Sequence, residues 1–266
     1  MTVSIIIPSR YGSTRYPGKS LAPLRGASGA VRSLVRRTWD AAAQVSGIDR
    51  IVVATDDARI EAEALGFGAE VAMTSPDCAN GTERCAEALE RLDPEPEIIV
   101  NLQGDAPLTP PWFVEALVAA MRARPEIGVA TPVLRCDALA MESFLTDRRA
   151  GRVGATTAVF DANGRALYFS KEVLPYTGRA LAPGETCPVF HHVGVYAYRP
   201  EALRRYTAMP AGPLERWEGL EQLRFMENGE DVFCVEVEAR GAHFWELNNP
   251  EDVPRIERVL AERGIE

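Results

Sequence analysis

The sequence predicts an α/β protein in which a mostly parallel sheet is flanked by helices, with a smaller sheet inserted in its second half. Two patterns carry this reading. Short apolar runs alternate with helical periodicity through the first half, and from about residue 128 they give way to strands at hairpin-like spacing. A third observation points to function: the first apolar run passes directly into a polar, basic turn.

In order, the first half reads as strand 3–7, helix about 29–44, strand 51–54, helix about 58–65, strand 70–73, helix about 81–92, strand 97–101 and helix about 111–123. Such alternation implies right-handed βαβ crossovers, with ligands beyond the carboxyl ends of the strands. Three of those ends carry polar groups: Ser9-Arg10, Thr55-Asp56-Asp57 and Gln103-Gly104-Asp105. Strands at 128–134, 155–161, 166–170 and 191–198 follow, with a turn at Asn163-Gly164 and a loop at 177–188. They read as an inserted sheet serving as a lid or subunit interface. Helix 214–227, strand 232–238 and a last helix from 250 complete a single expected domain over 1–266.

The chain has 266 residues, 46% hydrophobic and 25% charged, enough for a substantial core. A net charge of −9 argues against nucleic-acid binding, since no basic stripe is available to release counterions. The N-terminal run is too short for a signal peptide or membrane span, so a cytoplasmic protein is expected. Five cysteines without a CxxC pair read as reduced packing residues. The three histidines, His191, His192 and His243, form no HExxH arrangement, which argues against zinc.

Three blocks carry chemistry. Residues 1–20, MTVSIIIPSRYGSTRYPGKS, combine glycines that admit a polyanion with Arg10, Arg15 and Lys19, which supply the charge a triphosphate requires. The spacing from Gly12 to Gly18-Lys19-Ser20 is one residue too long for a Walker A loop, and Pro17 removes a backbone donor. A basic loop after a strand also occurs as an ordinary solvated turn. In VVATDD at 52–57 and MTSPDCANGTER at 73–84, Asn80 reads as an N-cap with Glu83 at N3, and Arg84 follows one turn into the helix. In IIVNLQGDAPLTPP at 98–111, Asp105 at a strand end is placed to hold Mg²⁺ against phosphate, or simply to form a turn. Gly104 permits close approach, and Gln103 is suited to reading a base edge.

Together these blocks resemble the 3-deoxy-manno-octulosonate (Kdo) cytidylyltransferases over about residues 3–260. The resemblance implies a GT-A-like nucleotidyltransferase fold, commonly homodimeric. It implies use of CTP and Mg²⁺ to activate a 3-deoxy-ulosonic acid as its CMP-sugar, with release of pyrophosphate, for lipopolysaccharide or other surface polysaccharide. It assigns Pro8, Ser9, Arg10, Arg15, Lys19, Ser75, Gly81, Thr82, Arg84 and Gln103 to the nucleotide, with Arg10, Lys19 and Asp105 catalytic. The blocks ALYFSKEVLPY (166–176), HHVGVYAYR (191–199) and PLERWEGLEQLR (213–224) match the family's sugar-handling segments, which assigns Lys171, Tyr176, His192, Tyr196, Glu221 and Gln222 to the sugar.

Tyr196 and Tyr198 also read as a core strand, and Leu214, Leu220 and Leu223 as one face of a core helix. The chain departs from the family at Ala106 (glutamate in QGDEP), at Lys171 (arginine) and at Asn248, where the family's metal-binding aspartate stands. Asp105 and Asn248 are the expected metal residues. Asn249-Pro250-Glu251-Asp252 also reads as a plain helix start. Two alternatives remain: a cytidylyltransferase for another acid sugar, and a non-catalytic nucleotide- or sugar-binding homologue.

Overall fold

The computed structural model describes residues 1–13, 15–153, 155–179, 181–182, 184–242 and 244–266; His243 lies outside them. The first elements are β1 (Val3–Ser9), β2 (Pro23–Arg25), β3 (Val31–Ser33), α1 (Leu34–Ala42), β4 (Arg50–Thr55), α2 (Ala58–Gly66), β5 (Glu70–Met73), α3 (Gly81–Leu89), β6 (Ile98–Leu102) and α4 (Pro111–Ala123). There follow β7 (Val129–Arg135), α5 (Ala138–Arg149), β8 (Thr157–Phe160), β9 (Ala166–Ser170), β10 (Phe190–His192) and β11 (Val195–Tyr198). The last are α6 (Pro200–Ala208), α7 (Pro213–Glu218), α8 (Leu223–Glu227), β12 (Phe233–Val237) and α9 (Val253–Glu262).

β5, β4, β1 and β6 pair in parallel in that order. Both faces of β1 are covered, which is why it reads as a continuous apolar run. Ile6 packs with Cys85 and Leu89 of α3 on one side, while Ile5 and Ile7 pack with Ala42 of α1 and Phe113 of α4 on the other. Each helix start has its own device. Ser33, Asp57 and Asn80 accept backbone hydrogen bonds at the heads of α1, α2 and α3, and Pro111 opens α4.

The strands between 128 and 198 do not form a sheet of their own. β11 inserts antiparallel between β6 and β7, β10, β8 and β9 continue outward, and β12 pairs with β7 to complete one ten-stranded sheet. All four β11 residues are buried, so this strand is core on both faces rather than a lid. The small separate sheet is the β2–β3 hairpin, which takes the place of the expected first turn of the 29–44 helix. The expected strand 191–198 is interrupted at Val193-Gly194. Helix 214–227 is likewise broken by Gly219, whose φ of 61° ends α7 in a left-handed cap. Leu214 is accordingly exposed while Leu223 is buried. No helix among the described residues is long and apolar enough to cross a membrane.

Candidate active site

A cleft of about 410 Å³ opens beyond the carboxyl ends of β1 and β6, within the size range of small-molecule sites. One wall is the loop after β1, the start of α3 and the turn after β6. The opposite wall is Tyr196 and the segment Gly219–Gln222.

The loop after β1 is held from beneath. The Tyr11 carbonyl accepts from Ser13 and Gly18 N–H at 2.9 Å each, and the Tyr11 ring lies 3.0 Å from where a Gly18 Cβ would sit. Gly18 has φ +70°, so a side chain there meets both strain and the ring. Arg59 stacks over the Tyr11 ring, at 3.4 Å from its centroid. The loop thus delivers Lys19 at a short 3₁₀ turn, where Nζ lies 2.5 Å from Asp105 Oδ2 and 3.2 Å from the Leu247 carbonyl oxygen. Arg10 and Arg15 are exposed on the cleft side, and Arg15 donates to Asn248 Oδ1 at 3.0 Å.

The turn after β6 requires glycine at 104, because a Cβ there would fall 2.5 Å from the Pro8 carbonyl oxygen and 2.6 Å from Ser9 Oγ. That close approach seats Asp105 beside the basic loop. Gln103 lies against Gly81, 3.0 Å from its would-be Cβ, and donates to Glu221 at 3.3 Å. Asn80 caps α3 by accepting from Glu83 N–H at 2.9 Å, and Glu221 accepts from Thr82 N–H at 3.1 Å, a favourable carboxylate at a helix N-terminus. Burial nevertheless raises the Glu221 carboxyl above its ordinary range, against the pull of the Thr82 hydrogen bonds. Arg84 lines the cleft but is only 2% exposed, held by Thr74 Oγ1 at 2.5 Å and Asp56 at 3.1 Å.

Of the residues expected at the nucleotide, Pro8, Arg10, Arg15, Lys19, Gly81, Arg84 and Gln103 meet at this wall. Ser9 is buried beside Gly104, its Oγ without a partner. Ser75 stands in the loop before α3, its N–H donating to Glu87 at 3.0 Å, and Thr82 is buried with its hydroxyl 3.0 Å from that of Tyr198.

On the facing wall, Tyr196 donates to Gln222 Oε1 at 3.0 Å, and Gln222 Nε2 has no partner although the residue is 2% exposed. Lys171 stands at the rim, with Nζ 3.1 Å from the would-be Cβ of Gly219 and its N–H on Glu218. Tyr176 is 90% exposed and does not line the cleft. His192, expected at the sugar, does not line the cleft. It is 6% exposed, 3.0 Å from Thr131 Oγ1 and packed on Phe169 and Tyr196, because its strand is interior. Burial pushes its imidazole down to about 3.

The sequence reading missed Glu246. Leu247 N–H donates to the Asp105 carbonyl at 2.8 Å and its side chain is fully buried, so the extended alternation places Glu246 and Asn248 together on the other face. Burial, and then the nearby Asp105, push the Glu246 carboxyl up to about 7 against Lys19 and Arg15. The buried leucine between two polar residues was the signal that could have found it.

No group of three histidine, cysteine, aspartate or glutamate residues suited to a metal occurs among the described residues. Asp105 is the carboxylate beside the basic loop on the cleft lining, and it fits Mg²⁺ as one protein ligand in a cleft that admits phosphate. That ion commonly takes one or two carboxylates and completes its shell with phosphate and water.

A parallel-sheet edge carrying a basic loop suits a nucleotide, and the chain's relatives are nucleotidyltransferases. The sequence model of the cytidylyltransferase family matches residues 4–232, and the chain belongs to that family. Within it the chain falls among the 3-deoxy-manno-octulosonate cytidylyltransferases. It is 41% identical to one from Maricaulis maris over 264 residues, 99% of each chain, and 42% identical to one from Chlamydia abortus over 255 residues, 96% of this chain and 92% of that one. A solved CMP:2-keto-3-deoxy-manno-octonic acid synthetase complexed with CTP superposes with a TM-score of 0.83 at 31% identity, covering 99% of this chain and 100% of that one. A 4-diphosphocytidyl-2C-methyl-D-erythritol synthase from Anaerococcus prevotii shares the fold alone, with a TM-score of 0.59 at 14% identity over 97% of this chain and 98% of that one.

Proposed function

We propose that this protein transfers CMP from CTP to the anomeric hydroxyl of Kdo and releases pyrophosphate. The observation that carries the proposal is the Lys19–Asp105 pair at 2.5 Å, set where β1 and β6 end and flanked by Arg10 and Arg15. The hydroxyl oxygen bonds to the α-phosphorus, the bond from that phosphorus to the bridging oxygen of the β-phosphate breaks, and the hydroxyl proton is released. Negative charge gathers on the nonbridging oxygens and on the leaving pyrophosphate. Lys19, Arg10 and Arg15 offset that charge, and the fixed loop beneath them limits reorganisation. Asp105 would hold Mg²⁺, which would supply Lewis-acid charge to the phosphate. Gln103 and the Gly81 turn seat the base, and Tyr196, Glu221 and Gln222 receive the acid sugar with complementary donors and acceptors.

The test is pyrophosphate release and detection of CMP-Kdo by mass spectrometry with CTP, Kdo and Mg²⁺. CTP binding without pyrophosphate release would instead identify a binding homologue. Lys171 at the rim favours one second reading, a different ulosonic acid, and the same assay with a panel of such acids separates the two. A homodimer in the cytoplasm serving surface-polysaccharide synthesis belongs to the same proposal, and light scattering tests the dimer.

A further inference from the structure

We propose that Tyr206 is a positioning residue that ties the two walls of the cleft at a fixed spacing for CMP transfer. The inference rests on the transfer reading above.

Tyr206 is fully buried on α6 and does not line the cleft, yet its hydroxyl meets both walls. It accepts from Asn80 Nδ2 at 2.9 Å on one side and donates to the Glu221 carbonyl oxygen at 3.3 Å on the other. Asn80 and Glu221 themselves line the cleft. Each partner is anchored in turn. Asn80 Oδ1 accepts from Glu83 N–H at 2.9 Å and so caps α3, which begins at Gly81. The Glu221 carbonyl also accepts from Arg224 N–H at 3.2 Å, at the head of α8. One hydroxyl therefore spans the starts of two helices.

The ring is held so that the hydroxyl cannot drift. It packs on Phe225 with centroids 4.9 Å apart, and the Arg224 guanidinium lies 4.3 Å from its centroid while pairing with Glu83 of α3 at 2.9 Å. A phenylalanine would supply all of that packing. What the hydroxyl adds is the bridge.

The bonds from Gln103 and from Thr82 N–H to Glu221 also cross the cleft, but they use the Glu221 carboxylate, which the transfer reading gives to the sugar. A sugar at Glu221 competes with them. The Tyr206 bridge uses the Asn80 amide and a backbone carbonyl, so it persists with both substrates in place. In-line attack needs the sugar hydroxyl within about 3–3.5 Å of the α-phosphorus, and walls free to part lose that alignment.

The test is Tyr206→Phe in the full chain, with two readouts. Steady-state kinetics with CTP, Kdo and Mg²⁺ should show kcat down about tenfold while KM for each substrate stays within about twofold. Hydrogen exchange in the complex with α,β-methylene-CTP, without acceptor sugar, should show the backbone amides of 221–224 exchanging about tenfold faster. Asn80→Ser, which keeps a cap oxygen and drops the amide donor, carries the same expectation and stands in should Tyr206→Phe not fold. Thr157→Val is the control: it strips a buried hydroxyl of β8 that bonds the Glu172 carbonyl oxygen at 2.7 Å away from the cleft lining, and neither readout should move by more than about twofold. Unchanged exchange in Tyr206→Phe, unchanged kcat in Tyr206→Phe where the parent turns over, or an equal response in Thr157→Val overturns the proposal. A parent that releases no pyrophosphate overturns the transfer reading instead, and exchange alone then decides the bridge.

Discussion

Lys19, Arg10 and Arg15 stand on a loop secured by backbone hydrogen bonds and by Tyr11, and their side chains line the cleft, Lys19 paired with Asp105 and Arg15 bonded to Asn248. The facing wall is made differently. Glu221 is held by Thr82 and Gln103, Tyr196 by Gln222, and Arg224 lies behind them in ion pairs with Glu215 and Glu83 that join α3, α7 and α8. The basic wall places charge by backbone geometry, and the facing wall places polarity through a buried network. Substitutions on the first should therefore change rate, and on the second stability.

The largest expected effect on that contrast is at Arg224. Its guanidinium is bidentate to Glu215 at 2.7 Å, and both side chains are nearly buried. Arg224→Ala strands the Glu215 carboxylate and is expected to cost about 3–5 kcal/mol of stability, measured by urea unfolding. A loss under about 1 kcal/mol would show that this wall does not depend on its network.

Lys19→Ala is the counterpart. Its expected loss is about 10²–10³ in kcat, about 3 kcal/mol of transition-state stabilisation, with a smaller loss of stability than Arg224→Ala because its ion pair with Asp105 is more exposed. A variant that melts far below the parent and turns over normally when folded would invert the comparison.

The same division explains what was legible in the sequence. The basic wall is local: each of its motifs is a strand or helix end with its own turn, so Gly104, Asp105, Asn80 and Lys19 carried their positions in neighbouring residues. The facing wall is assembled over distance. Gln103 meets Glu221 across 118 residues and His192 meets Thr131 across 61, and no local pattern reports such pairs. A polar side chain on a strand looks alike whether it is satisfied inside the core or open to a ligand, which is why His192 was expected at the sugar. Helix α5 was not foreseen because Met141 is its only buried residue, leaving little amphipathic signal. Helix α6 opens on Pro200, where the missing N–H does no harm but the residue resembles a breaker.

His192 gives a smaller effect, on pH dependence. Its folded-state pKa, about 3, lies below the ordinary value near 6.5, so between those values the unfolded chain binds more protons and acid weakens the fold. The contribution is complete above about pH 6.5 and is lost as pH falls from there toward 3. Between pH 7 and 5 it amounts to about 2 kcal/mol. His192→Asn should flatten the pH dependence of unfolding free energy by about that amount, and an unchanged slope would place His192 in contact with solvent.

The smallest effect sharpens the comparison most, because it asks whether the facing wall acts through its network or through individual contacts. The Tyr196 hydroxyl donates to Gln222 Oε1, and that bond leaves Nε2 as the unpartnered donor. Tyr196→Phe removes one neutral hydrogen bond, about 1 kcal/mol, without opening a cavity. If Tyr196 positions the amide for the sugar, KM for the acid sugar should rise about fivefold, while KM for CTP stays as it was. Gln222→Leu in the same background should then add little, since the two residues act as one unit. Steady-state kinetics on the two single variants and the double variant measure that coupling. Fully additive losses would mean that each side chain meets the sugar separately, and that the facing wall offers its groups as directly as the basic wall does.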